Sequence, residues 1–561
     1  MGVVAAAVSA VVVGAMLFKS AQLQSGGAAV AEMMGGRRVD PHTRAPQERV
    51  LMNVVEEMSI ASGVPVPDVF ILDKEAGVNA FAAGWSTKDA AVAVTQGALE
   101  TFSRDELQGV IAHEFSHIFH GDMRLNIRLM GTLFGIMCLT VIGRILLHTG
   151  GRKRDGQQAA LFGLVLIIAG YIGVLFARLI QAAISRQREY LADAAAVQYT
   201  RDPKGIGMAL AKLGGLTGKL KSPHAEEASH MMFADAVAGL GGGLATHPPI
   251  EERVERVLPG FMKNAAASGS LTQAVADTDA PALSPAAAGF AGSTPQRMVA
   301  SVGDPQPRHV EAARALLSEL PLDVSVAAHE AARAPALIYS LLLDEDDAER
   351  HRQLSLLGDE QSAMRLQTEE SFGDLAALPR TMRLPIVELA MPALRQLPRD
   401  ERAALLKRAR ALALSDHHLS AFEFALIKTL ERHLPLGAET RRRRGRPEAM
   451  SKHVEGAALV LSVIAHAGAE REEDARAAFE RGCRVLDIAA APLTAAEDAT
   501  PQGLDRAIDG LERVSPLGKR SLIEACAEVA AHDGHLAPDE VDLVRALAEL
   551  WECPVPLAIE G

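Results

Sequence analysis

Residues 161–180 read LFGLVLIIAGYIGVLFARLI, twenty positions with a single charge, Arg178, near the end. A stretch of that length and uniformity has no solvated face. It must be either a bilayer-spanning helix or the core helix of a large domain. Residues 129–147 form a second apolar stretch, in which Arg144 lies close enough to the end to snorkel. A short polar loop, residues 149–158, separates the two. The pattern predicts a transmembrane hairpin with spans at 129–147 and 159–181. A third apolar, uncharged stretch opens the chain at residues 2–18 and, at about 17 residues, sits at the lower limit for a span. No charged region precedes it. Lys19, Gln22 and Gln24 follow where small cleavage-site residues would stand, so residues 1–18 read as an uncleaved anchor rather than a signal peptide. The abrupt start at Met1 also suggests a start codon further upstream.

Residues 19–128 lie between the first two stretches. DVFIL (68–72) and AVAVT (91–95) are short β-type runs that could pair, with residues 77–87 as their connection. Ser103 and Glu106 form an S-x-x-E capping box that opens a helix running through His117. Within that helix stands His113-Glu114-Phe115-Ser116-His117. Two histidines at i and i+4 share one helix face, so both can reach a single ion. Glu114 then lies near the ion's open position, where it can take a proton from water whose pKa zinc lowers towards about 7.

A catalytic zinc needs a third protein ligand. His120 turns off the face shared by the pair. The better candidate is Glu189, in Ser185-Arg-Gln-Arg-Glu-Tyr-Leu-Ala-Asp193. A hairpin crosses the membrane and returns, so Glu189 emerges on the side that holds His113 and His117. The third span can continue as a helix that presents it. Asp193, one turn further on, is placed to orient a metal-ligating histidine.

Three segments now stand in order: ELQGVIAHEFSH, SRQREYLAD and Thr246-His-Pro-Pro-Ile-Glu-Glu-Arg253. Together they resemble the M48 peptidases, the group that includes the HtpX heat-shock proteases and the Ste24 prenyl-protein proteases. Val78-Asn-Ala-Phe-Ala82 is similar to the family's N-A-F/Y-A segment. The resemblance covers roughly residues 30–258. It implies one zinc ion per chain held by His113, His117 and Glu189, with Glu114 as general base. It further implies that Asn79 and His247 stand beside the substrate, where they could stabilise the oxyanion, and that Arg253 pairs with Asp193. The strand at 91–95 could accept an extended substrate as an added strand. The resemblance departs at the N-terminus, where HtpX-like chains usually carry two spans and this one carries one short stretch.

The expected fold class is therefore mainly α: a membrane-embedded, zincin-like metallopeptidase with a small β-sheet, followed by an all-α C-terminal region. Residues 19–262 would form the peptidase domain, including the hairpin. Residues 263–307, rich in Ala, Ser, Gly, Thr and Pro, read as a flexible linker. Helical periodicity then runs through 308–440. A basic linker follows at 441–449, and a second helical region at 450–561. Residues 411–431 and 528–548 align without gaps as an internal repeat, Asp416 with Asp533, Leu419 with Leu536, Glu423 with Glu540 and Leu426 with Leu543. Each copy reads helix, turn, helix, and the segments resemble TerB-like helical domains. Alternating acidic ligands of a calcium loop are absent from both turns. The repeats are candidates for binding a protein partner.

The net charge of −13 is spread along the chain, which argues against nucleic acid as a partner. Expected partners are protein or peptide substrates and the bilayer. Cys138, Cys483, Cys526 and Cys553 form no C-x-x-C pair and no disulfide framework. Near the span ends, Lys19, Arg124, Arg128, Arg186 and Arg188 lie on the catalytic side, against Arg152, Lys153 and Arg154 in the hairpin loop. The larger count favours the cytoplasm for the catalytic and C-terminal regions of a multi-pass inner-membrane protein.

Overall fold

The computed structural model describes residues 2–24, 26–149, 156–215, 222, 231–233, 247–261, 302–359, 362–415, 420–436, 447–469, 471–488, 491–495, 498, 500–532 and 538–556. The expected linker at 263–307, apart from its last six residues, and the basic run at 441–444 lie outside them. The chain divides into two compact units. One comprises Met1–Val39, Arg44–Val54 and Pro67–Leu283, and the other Asp40–Thr43, Val55–Val66 and Ser284–Gly561.

The first unit opens with helices α1 (Gly2–Gln22) and α2 (Gly27–Met33), strand β1 (Arg37–Arg38) and helix α3 (Pro46–Ser62), whose second half belongs to the other unit. Strands β2 (Asp68–Leu72), β3 (Ala80–Ala83) and β4 (Ala91–Thr95) follow. The sheet order is β1-β2-β4-β3, with β2 and β4 parallel and β3 antiparallel to β4. All of β3 and β4 is buried, which suits their short Ala, Val and Phe runs. The two β-type runs do pair. The expectation that residues 91–95 receive a substrate strand meets an obstacle, because β4 is hydrogen-bonded on both sides, to β2 and to β3. The outer strand on that side is β3.

Helices α4 (Gln96–Thr101) and α5 (Arg104–Phe119) follow the sheet. Ser103 and Glu106 make the capping box in both directions, satisfying two N–H groups at the start of α5. Lys212 of α8 (Pro203–Gly215) adds an ion pair to Glu106 at 2.7 Å. Helix α5 packs closely on α8 at Gly109, where a Cβ would stand 2.5 Å from the Ile206 backbone nitrogen.

Helices α6 (Asp122–Thr149) and α7 (Gly156–Thr200) form the hairpin and pack along each other. Both are long and apolar enough to cross a membrane. Their outward residues are not buried by protein. Leu161 is 65% exposed, Phe176 60% and Val141 55%, which a core helix of a soluble domain would not show. Arg144 donates to the Tyr171 hydroxyl across the hairpin at 2.9 Å. The apolar part of α1, Val8–Gln22, is shorter than a span among the described residues. Helix α7 continues well past its apolar section and carries Glu189 and Asp193, as the hairpin reading required. Helix α9 (Ile250–Val257) packs on α7 and α8.

Among the described residues from Pro307 onward, the second unit is helical, with an isolated bridge between Glu448 and Val514. The internal repeat appears as the helix pairs Arg399–Ala413 with Ala421–His433, and Pro516–Ala530 with Pro538–Leu550. Ser420 caps the second helix of the first copy through its own capping box. Most turn residues of both copies, including Asp416 and Asp533, lie outside the described residues.

Candidate metal centre

His113 and His117 lie one turn apart on α5, and α7 brings Glu189 against them. One donor atom from each converges, all three within 4.8 Å of one another. The two Nε2 atoms are 3.3 Å apart, and Glu189 places an oxygen 3.7 Å from each. Two donors on a tetrahedral zinc with bonds of about 2.0–2.1 Å stand roughly 3.3 Å apart. The outer nitrogens are engaged, His113 Nδ1 3.0 Å from Asp193 and His117 Nδ1 2.9 Å from Asp122. A neutral imidazole whose Nδ1 faces an outer carboxylate keeps its Nε2 lone pair for the inner side. Lone pairs converging at this spacing inside protein, beside a carboxylate, fit a cation between them.

Glu114 is buried between these ligands and the sheet, and the Ala82 backbone of β3 bonds its carboxyl. Its Oε2 is buried without a hydrogen-bond partner, an arrangement that suits a water or substrate group at that point. Burial raises the Glu114 carboxyl to about 7. The two histidines move apart. Burial pulls His113 down, whereas for His117 the Asp122 hydrogen bond and the Glu189 charge outweigh burial and lift it to about 9. Burial works against the Glu189 charge, but the His247 and Arg253 charges hold its carboxyl well below the usual range.

Arg253, on α9, is 1% exposed. Its guanidinium grips Asp193 with two bonds, Nε to Oδ2 at 2.8 Å and Nη2 to Oδ1 at 2.7 Å. Nη1 donates to the Phe233 carbonyl at 2.9 Å and lies 3.4 Å from Glu189. Arg253 and Asp193, which the sequence resemblance puts together, are thus in contact. His247 is buried, with Nδ1 3.2 Å from the same Glu189 carboxylate. Asn79 is also buried, and bonds to the sheet hold it. Its N–H donates to the Thr95 hydroxyl at 2.9 Å, and its side-chain oxygen accepts from the Ala80 N–H at 3.0 Å. Those bonds place it at the start of β3.

Sequence reasoning missed three residues. Asp122 and Arg188 stand behind His117. Phe233 stacks edge-on against His113 at 5.0 Å, beneath the Arg253 guanidinium, and donates its N–H to Ala80 of β3. Asp122 could have been found from its position five residues after the second histidine, just past a glycine break. Nothing in the local sequence marks Phe233.

A helix carrying His-Glu-x-x-His, a carboxylate from a second helix and a sheet alongside define a metallopeptidase-type centre. Residues 45–259 match peptidase family M48. Among curated proteins, a protease HtpX homolog of Streptococcus thermophilus is 40% identical over 253 residues, 43% of this chain and 80% of the relative. One from Caldanaerobacter subterraneus is 41% identical over 219 residues, 37% of this chain and 71% of the relative. One from Streptococcus pneumoniae is 39% identical over 254 residues, 43% of this chain and 80% of the relative. No solved structure matches. The chain belongs to peptidase family M48, whose metallopeptidases are zinc-dependent, and as a protease it acts on polypeptides.

Proposed function

We propose that this chain is a membrane-bound zinc endopeptidase of the HExxH type, cleaving membrane or membrane-proximal proteins in protein quality control. His113, His117 and Glu189 would hold one zinc ion. The observation that carries the reading is the convergence of these donors beside the unpaired Glu114 oxygen. Bound there, zinc would lower the pKa of water and polarise the scissile carbonyl.

The chain's own residues do the rest. Asp193 and Asp122 hold the two imidazoles in one tautomer and orientation. Glu114 takes a proton from the attacking water and passes it to the leaving amine. His247 and Asn79 are assigned to the oxyanion. The outer strand β3 lies against Glu114 through Ala82, which favours β3, rather than β4, as the edge that an extended substrate joins.

Exposed apolar residues along α6 and α7 support membrane insertion, with residues 1–18 as an anchor. The cationic residues at the span ends support a multi-pass inner-membrane protein with catalytic and C-terminal regions in the cytoplasm. The C-terminal region is read as TerB-like helical repeats, joined through a linker at 263–307, that bind a protein partner.

The test is Glu114→Gln. This variant should retain zinc and lose proteolysis by about 10²–10⁴-fold, the range for a positioned general base. Cleavage at the wild-type rate by the zinc-loaded variant would refute the mechanism. Expressed in cells, the same variant should trap membrane proteins that can be identified by mass spectrometry. No enrichment over a strain lacking the protein would count against quality control.

A further inference from the structure

We infer that Asp122 and Arg188 are positioning residues of the metal centre, one carried by each arm of the hairpin and both acting through His117. The inference rests on the zinc reading above. Helix α5 ends at Phe119, and Gly121 takes a left-handed conformation, with φ of 70°, that breaks the chain away from the helix axis. Asp122 is the first residue of α6. That break turns its side chain back towards the histidine five residues earlier, and Oδ2 reaches His117 Nδ1 at 2.9 Å. Oδ1 is bonded by Arg188 of α7, the residue immediately before Glu189.

An ordinary acid at a helix N-terminus is exposed and faces its own first turn. Asp122 is 5% exposed, and its two oxygens are taken by side chains of two other helices. The arrangement repeats the one behind His113. There the order is imidazole, Asp193, then Arg253 of α9. Here it is imidazole, Asp122, then Arg188 of α7. In both, a carboxylate oxygen stands against Nδ1, 3.0 Å from His113 and 2.9 Å from His117, and an arginine fixes the carboxylate from behind. The local consequence is the same: Nε2 is left as the lone-pair nitrogen, aimed at Glu189 and at the other histidine.

The second relay differs in what it spans. Asp122 begins one arm of the apolar hairpin and Arg188 lies beyond the apolar part of the other. Their ion pair therefore ties the two arms together at the level of the ligands. It also places Arg188 so that the next residue, Glu189, points at His113 and His117.

The experiment is zinc affinity by competition with a chromophoric chelator, using the full chain in detergent and a Glu114→Gln background to prevent self-cleavage. Asp122→Ala should weaken zinc binding about 10–100-fold, the usual effect of removing such a partner. Asp122→Asn keeps the shape and one acceptor oxygen, so it should fall between. Arg188→Gln should weaken binding less than Asp122→Ala, and should add little once Asp122 is Ala, because it acts through that carboxylate. With Glu114 restored, excess zinc should recover cleavage by Asp122→Asn, which a purely structural role would not allow. Zinc affinity within about twofold of the parent for both Asp122 variants overturns the inference, as does full additivity with Arg188→Gln. A Glu114→Gln parent that binds no zinc removes the metal reading itself, and this inference with it.

Discussion

Asp193→Ala offers a sharp separation of fold stability from metal binding. The carboxylate is buried and receives two bonds from Arg253, with His113 Nδ1 3.0 Å from Oδ1. Burial alone would raise its pKa, but the Arg253 charge and hydrogen bonds reverse this and bring it from 3.8 to about 2. A depression of that size corresponds to roughly 2–3 kcal/mol of interaction favouring the charged form. Removing one partner of a buried pair costs about 3–5 kcal/mol, because the other charge stays buried. The two routes agree near 3 kcal/mol, and the loss should be moderated by Glu189, 3.4 Å from the same guanidinium. Arg253→Met in the Asp193→Ala background removes the stranded cation and should recover much of the stability. It should not recover zinc affinity, since His113 still lacks its carboxylate, and that loss should remain about 10–100-fold. Denaturant unfolding in detergent and chelator competition measure the two quantities independently. The reasoning fails if Asp193→Ala costs less than about 1 kcal/mol, or if the double variant is as unstable as the sum of the singles.

Two further predictions concern packing and pH. Gly→Ala in a helix interior ordinarily stabilises by about 1 kcal/mol. At Gly109 the new Cβ would meet the Ile206 backbone nitrogen at 2.5 Å, so Gly109→Ala should instead destabilise by about 1–3 kcal/mol in thermal unfolding, and a stabilised variant would show that α5 and α8 do not pack as described. In the second unit, His329 is bonded to Glu56 at 2.8 Å; burial opposes its charge, but Glu56 outweighs burial and raises it from 6.5 to about 9. A raised histidine stabilises fully below its unfolded pKa of about 6.5, and that stabilisation fades as pH rises through about 9. His329→Gln should therefore be less stable than the wild type by up to about 3 kcal/mol at pH 6, and the two should converge by pH 10. A gap that does not narrow would refute the pairing.

What could be read from the sequence was what depends on neighbours in the chain. The histidine pair, its capped helix and the apolar hairpin all follow from local spacing. Glu189 was reachable because the hairpin reduces a long-range question to one of which side the chain returns to. The sheet was harder. Residues 68–72 and 91–95 carry a strand signal, but β3 is only Ala-Phe-Ala-Ala and β1 is two arginines, and neither has an alternation to detect. Without β3, residues 91–95 look like an available edge. With it, they are interior. Asp122 and Phe233 escaped for a related reason. Their roles come from contacts with α7, β3 and α9, which no helical or strand periodicity encodes.

The internal repeat raises a question that its helix-turn-helix pattern alone left open, namely what covers the apolar faces. The second helices of the two copies, Ala421–His433 and Pro538–Leu550, pack directly on each other. Leu426 and Leu543, equivalent in the alignment, are both buried. At the same offset Arg432 corresponds to Glu549, and these two lie 3.4 Å apart, with His433 3.0 Å from the same carboxylate. Contact between equivalent positions is what a local two-fold relation between the copies produces. Arginine on one side and glutamate on the other turns a position where a true homodimer would set like charges together into an ion pair. Duplication within one chain thus permits a charge asymmetry that identical subunits cannot have, and it covers the apolar stripe of each copy with the other.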